Sequence, residues 1–236
     1  MSRVRLTDVS EHQGRPSFRR LKDEDNIVGA GVKMTEGWGF EDPDGLHNLE
    51  RIVANNLVAL PYHFLWNGPE GRGGAHQAEF FLRQIRKVVD PLRVIPCVDV
   101  ELSSNMEPRH HPRFADVRAF LRRLEDLLPG KRLGIYVGYY WREDNHLGNP
   151  RVEALGLKLR PIIWDAHYFH SGDAPPASFG EYRSRIPSDY WDGNAFGGMK
   201  ADILQFSDKV RFSEYVGDAD LADTDLATLR DWAWAA

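Results

Sequence analysis

The most constraining feature of this chain is a rhythm in which short apolar runs alternate with helical periods. The runs are Val4–Val9, Ile27–Thr35, Leu57–Leu65, Arg93–Val100, Leu133–Tyr139, Pro161–His167 and Ile203–Ser207. Each is bounded by turn residues and rich in Val, Ile, Tyr and Trp, which suits strands buried on both faces. In Ala75–Val89, residues Ala78, Phe81, Leu82, Ile85, Val88 and Val89 form one apolar stripe. Phe114, Val117, Leu121, Leu124 and Leu128 form another, opened by Pro112 and closed by Pro129-Gly130, and Pro43–Asn56 is a third helix candidate. Such alternation over 236 residues predicts a parallel α/β fold, a (β/α) barrel of TIM-barrel type. There is no internal repeat, low-complexity tract or linker, so residues 1–236 read as a single domain. After Trp164 the helical period fades. Phe169–Lys200 offers Gly, Pro, Ser and the aromatics Phe179, Tyr182, Tyr190, Trp191 and Phe196, and reads as an ordered surface loop.

Composition narrows the function by exclusion. Lys and Arg total 30 against 35 Asp and Glu, a net charge of −5, so there is no basic footprint for a nucleic acid or an anionic membrane. The longest apolar runs, Val94–Val98 and Pro161–Trp164, are far too short to enter a bilayer. A single cysteine, Cys97, excludes an intrachain disulfide and a multi-thiolate metal site, and its mid-strand place beside Pro96 predicts a buried, inert thiol. Met1–Leu6 lacks the apolar core of a signal peptide. A monomer is expected.

In a parallel barrel the chemistry sits where the strands end. Here they end on Asp8, on Lys33 to Glu36, on Tyr62 to Phe64, on Asp99 and Glu101, on Tyr136, on Trp164 to Tyr168 and on Gln205, with Asp218 and Asp220 following. Asp99 and Glu101 form the sharpest pair. Residues i and i+2 of a strand share a face about 7 Å apart at Cα. Two close carboxyls cannot both ionise freely, which is the arrangement of an acid and an ionised partner at a glycosidic bond. A strand-end cap or an ion pair would use the same residues, so the pair alone leaves both readings open. Other chemistries find less support. No His-x-His or His-Glu-x-x-His occurs, so no metal site is expected, and His110-His111 reads as exposed or capping. Gly68, Gly71, Gly73 and Gly74 lack the Lys-Ser/Thr of a phosphate loop, Asp223 stands where a calcium loop requires glycine, and no Gly-x-Ser-x-Gly elbow is present.

Taken in order, these motifs resemble the family-25 glycoside hydrolases, the muramidase-type lysozymes of bacteria, fungi and phages. Asp8-Val9-Ser10 with Gly14 resembles the family's opening motif, Lys33-Met34-Thr35-Glu36-Gly37 its second strand, and Pro61-Tyr62-His63-Phe64 with Gln77-Ala78-Glu79 its third strand and following helix. Asp99-Val100-Glu101 resembles the segment carrying the catalytic acid. Ile135-Tyr136, Trp164-Asp165-Ala166-His167-Tyr168, Leu204-Gln205-Phe206 and Gly217-Asp218-Ala219-Asp220-Leu221 complete the series.

The resemblance implies an irregular β/α barrel with incomplete helices in its C-terminal part. It implies retaining cleavage, without a cofactor, of the β-1,4 bond between N-acetylmuramic acid and N-acetylglucosamine in peptidoglycan. Glu101 would be the acid/base and Asp99 the stabiliser of positive charge, on the sugar or on an oxazolinium formed by the substrate's acetamido group. Asp8 and Asp220 would be further cleft carboxylates, and Lys33, Glu36, Tyr62, Phe64, Tyr136, Trp164, Tyr168 and Gln205 would line the subsites. The family's Asn two residues after the last aspartate is Ala222 here, and Phe169–Lys200 is long for the family and would wall the groove. A catalytically silent wall-binding barrel is the alternative. Without a leader, the chain would stay in a host cytoplasm until lysis, as an endolysin does, or be secreted by a segment outside this sequence.

Overall fold

Along the strands, side chains alternate between two buried environments, and this alternation organises the molecule. The computed structural model describes residues 3–69, 72–102, 107–138, 152–170, 172–191 and 198–234. Its strands are β1 (Val4–Val9), β2 (Ile27–Glu36), β3 (Phe40–Glu41), β4 (Val58–Phe64), β5 (Cys97–Val100), β6 (Gly134–Val137), β7 (Ile162–Ala166), β8 (Ala177–Ser178), β9 (Ile203–Arg211) and β10 (Val216–Ala222). The short β3 and β8 are appendages of β2 and β9. The other strands close in the order β1-β2-β4-β5-β6-β7-β9-β10 and back to β1. Neighbours are parallel except at β10, which runs antiparallel to both β9 and β1.

One set of strand side chains points into the barrel, where Leu6, Leu60, Cys97, Ile162, Trp164 and Ile203 make a core. The C-terminal helix Leu226–Trp234 adds Leu229 and Ala233 to that core. The alternate set, including Val9, Val32, Val98, Ile135 and Leu204, packs outward against the helices in a larger core. The helices are α1 (Phe18–Asp25), α2 (Gly45–Ala54), α3 (Gly74–Ile85) and α4 (Phe114–Leu127). Phe81 of α3 and Phe120 of α4 meet with ring centroids 5.9 Å apart. A closed barrel has a crowded interior, and glycine relieves it. A Cβ on Gly31 would lie 2.6 Å from both Asp8 Cβ and a ring carbon of Trp164.

The barrel is therefore α/β and closed, as expected, but it is not a regular TIM barrel. A tight turn joins β9 to β10, with Phe212 N–H donating to Tyr215 O at 2.8 Å. That leaves no room for a crossover helix, so the last strand must reverse direction. The Phe169–Lys200 segment also differs from the expected surface loop. It carries β8, the helix Phe179–Arg183 and a 3-10 turn at Ser188–Trp191. Phe179, Tyr182 and Trp191 are buried in the outer core, so its aromatics hold the segment against the barrel. Phe196 lies outside the described residues, as do Tyr139 of the expected Leu133–Tyr139 run and Gly71. The run expected from Arg93 begins as regular strand only at Cys97, after a 3-10 turn at Pro91–Arg93. Prolines 91 and 96, which have no N–H for a ladder, account for the delay.

Candidate active site

The inward-facing row at the ends of the strands forms the floor and walls of one cavity of about 700 Å³. Strand register sets the row: Glu36 lies beside Phe64, Phe64 beside Asp99, Asp99 beside Tyr136, and Tyr136 beside Trp164. Of the residues singled out from the sequence, Asp8, Lys33, Glu36, Tyr62, Phe64, Asp99, Glu101, Tyr136, Trp164, Tyr168 and Gln205 all line this cavity. Asp220 does not. It is fully buried, and its Oδ1 accepts a 2.8 Å hydrogen bond from Trp164 Nε1. Asp218 lines the cavity instead. The antiparallel β10 explains the exchange. A parallel strand climbs toward the mouth, whereas β10 descends from it, so the earlier aspartate is the one at the opening.

A hydrogen-bonded set fixes the floor. Gln205 Nε2 donates to Asp8 Oδ2 at 2.8 Å, and Gln205 Oε1 accepts from the hydroxyls of Tyr136 at 2.8 Å and Tyr168 at 2.7 Å. Tyr168 also reaches Asp218 Oδ1 at 3.3 Å. The Tyr136 ring meets Trp164 edge-on at 5.3 Å, and the Tyr62 ring does so at 6.4 Å. On the opposite wall, Lys33 Nζ donates to Glu36 Oε2 at 2.5 Å and lies 4.9 Å over the Phe64 ring.

Burial raises five carboxyls of the site: Asp8, Asp99, Glu101, Asp218 and Asp220. Burial pushes Asp8 well above the usual carboxylate range, and the charge of Asp220 adds to it against the opposing hydrogen bond from Gln205. Burial does the same to Asp218, reinforced by Asp8, and to Asp220, opposed by the bond from Trp164. Asp99 is raised by burial and then by Glu101, with Lys33 working against both. Glu101 is pushed up to about 7, chiefly by burial, while Lys33 pulls it down and Glu36 raises it. Glu101 is partly open to the cavity whereas Asp99 is buried, with Oδ1 lacking any hydrogen-bond partner. The pair therefore resists full ionisation, and Glu101 is the more exposed of the two. Gly138 makes space for it, since a Cβ there would stand 2.6 Å from Glu101 Cβ.

A pocket walled by aromatic rings and holding a partly exposed carboxyl raised to about 7 suits general acid catalysis at a glycosidic bond. The sequence model for glycosyl hydrolases family 25 matches residues 7–214, a span containing almost all of these residues. The chain belongs to glycosyl hydrolases family 25. It is accordingly a glycoside hydrolase. Among solved structures, it is similar to the bacterial lysozyme from Streptomyces coelicolor, with a TM-score of 0.71 and 20% identity, covering 99% of this chain and 98% of that one. A family GH25 lysozyme from Aspergillus fumigatus gives 0.70 and 21%, covering 98% and 99%. The catalytic domain of endolysin ply40 from bacteriophage P40 of Listeria monocytogenes gives 0.63 and 14%, covering 97% and 98%. These likenesses are of fold. No curated protein sequence matches the chain.

Several cavity-lining residues were not among the site residues expected from the sequence. Besides Asp218, the cavity is lined by Glu11 to Gln13 after β1, by Trp38 and Phe40 around the β2–β3 turn, and by Trp66 after β4. Only their positions just past a strand end could have marked them. His110, expected to be exposed or capping, is half-buried and stacks on Trp66 at 5.2 Å and 27°. Cys97 is buried as expected, with its thiol pushed up by burial and by Asp99, but it opens β5 rather than lying mid-strand. Among the described residues, no cluster of His, Cys, Asp and Glu is arranged to hold a metal ion, and no helix is long and apolar enough to cross a membrane.

Proposed function

We propose that this family-25 enzyme is an N-acetylmuramidase acting on bacterial peptidoglycan. It cleaves the β-1,4 bond between N-acetylmuramic acid and N-acetylglucosamine with retention, and residues 1–236 act as one catalytic unit. The observation that carries the reading is Glu101, a carboxyl at the cavity wall held up to about 7 beside the deeper Asp99. The structurally similar proteins, two lysozymes and an endolysin catalytic domain, support peptidoglycan as the substrate class.

In this reading, Glu101 protonates the leaving oxygen and then deprotonates the incoming water. Asp99 stabilises the positive charge, whether it develops on the sugar or on an oxazolinium formed by the acetamido group. Turnover of an acetamido-free analogue separates the two, because substrate assistance requires the acetamido oxygen. Tyr62, Phe64, Tyr136 and Trp164 present ring faces and edges to the sugars, while Lys33, Glu36, Tyr168 and Gln205 offer polar contacts. Asp8 and Asp218 hold the floor with Gln205. Asp220 acts beneath them by fixing the Trp164 indole. A turbidity assay on purified cell walls tests the assignment. Wild-type protein clears the suspension and Glu101→Gln, folded by circular dichroism, does not; clearing by the variant would place the acid elsewhere.

A further inference from the structure

The β2–β3 turn and the segment after β4 carry aromatic groups that the catalytic row does not use. Trp38 meets the Trp66 ring at 5.4 Å and 88°, and the His110 ring at 5.3 Å and 62°. Trp66 is half-buried, with His110 stacked on one face and Gly37 packed against its ring. A Cβ on Gly37 would lie 3.0 Å from the Trp66 ring, and the backbone there has φ +52°, so glycine is required twice over. Trp66 and His110 are therefore the support, and Trp38 is what they hold up. Beside it Phe40 is 42% exposed, a large apolar ring left facing solvent at the same cavity.

The support is fastened from below by a single buried amide. Gln77 Nε2 donates to Trp66 O at 2.8 Å and Arg72 O at 3.0 Å. Gln77 Oε1 accepts from Trp66 N–H at 3.1 Å and faces His63 Nε2 at 2.9 Å. Because both amide protons go to carbonyls, His63 Nε2 must be the donor in that contact, and its Nδ1 then accepts from Thr35 Oγ1 at 2.8 Å. Burial pushes His63 down to about 3, which keeps the ring neutral and this pattern intact. Every hydrogen-bonding position of Gln77 is used. The network ties β2, β4 and α3 to the two backbone atoms that aim Trp66. A surface turn of ordinary function has no need of such pre-organisation, whereas a binding platform gains affinity from it.

We infer that Trp38 and Phe40 form an aromatic shelf that binds a further N-acetylhexosamine ring of the same glycan strand, beyond the sugars flanking the cleaved bond. The inference rests on the muramidase reading. Its occupant follows from continuity, because the shelf and Glu101 line one cavity and Trp38 and Glu101 each lie two residues beyond the registered row of Glu36, Phe64 and Asp99. A strand cut at Glu101 and extending along this wall meets the shelf, and the apolar face of a sugar ring suits an aromatic plane. Gln77 and His63 are positioning residues for it.

The test uses soluble, peptide-free glycan strands of four and eight sugars. Trp38→Ala raises KM about tenfold on the octasaccharide, with kcat within about twofold, and leaves the tetrasaccharide unchanged; Trp38→Phe restores most of the loss. Phe40→Ala, at an exposed site whose change cannot unfold the barrel, raises KM on the octasaccharide by about threefold. An unchanged octasaccharide KM in both variants overturns the shelf, and so does an equal loss at both lengths. The same strands carrying stem peptides are assayed in parallel, and a loss confined to them overturns the shelf in favour of a peptide site. Wild-type enzyme that cuts neither length would overturn the muramidase reading itself, which separates that failure from the failure of the shelf.

Discussion

Glu101→Gln removes the proposed proton donor and should also stabilise the protein in a pH-dependent way. In the folded enzyme the Glu101 carboxyl is raised from an ordinary 4.5 to about 7. Below 4.5 the side chain is protonated in both the folded and unfolded chain, and its burial as an acid carries no ionisation cost. Between 4.5 and 7 the unfolded chain ionises first, so stability falls as pH rises. Above about 7 the loss is complete. One pH unit of displacement corresponds to about 1.4 kcal/mol, so the full cost is at most about 3 kcal/mol. Glutamine has the same shape and no charge to bury, so it escapes this cost. For a chain of this length about 3 kcal/mol corresponds to roughly 6–12 °C in Tm. Thermal melts followed by circular dichroism at pH 4 and pH 8 check it. The Tm values of wild type and variant should converge at pH 4, with the variant higher at pH 8 while inactive on cell walls. An equal offset at both pH values, or a variant less stable at pH 8, would refute the claim that burial raises this carboxyl.

Two further expectations follow from close contacts. Gly138→Ala places a methyl 2.6 Å from Glu101 Cβ and should reduce kcat by at least tenfold, with the Tm lowered by only a few degrees; wild-type kcat would mean that the acid tolerates displacement. Lys131 is 1% exposed and donates to the carbonyls of Leu92 at 3.0 Å, Trp232 at 3.2 Å and Ala233, fastening the C-terminal helix under the barrel. Lys131→Met leaves those carbonyls without their donor and should cost about 3 kcal/mol in urea denaturation, and an unchanged midpoint would refute the fastening.

The barrel was legible in the sequence because both of its periods are strong. Strands with Val, Ile and aromatics carry inward and outward sets, and α3 and α4 each carry one apolar stripe. Helix α1 was not legible, since Phe18 and Leu21 are its only buried residues and its start rests on Ser17 accepting from Arg20 N–H. Asp99 and Glu101 could be placed because i and i+2 on a strand must share a face. Asp218 and Asp220 have the same spacing, but which of them opens to the cavity depends on strand direction, and a tight turn reverses β10. Sequence spacing holds no record of that reversal. Trp38 and Trp66 sit in turns, where no periodicity marks a side chain as inward, and only the folded chain brings them to His110.

Mass spectrometry of peptidoglycan digested by the wild-type enzyme tests the central claim most directly. Fragments with N-acetylmuramic acid at the reducing end, absent from a Glu101→Gln digest, are the predicted result. Fragments ending in reducing N-acetylglucosamine, or the same muramic-acid ends from the variant, would contradict it.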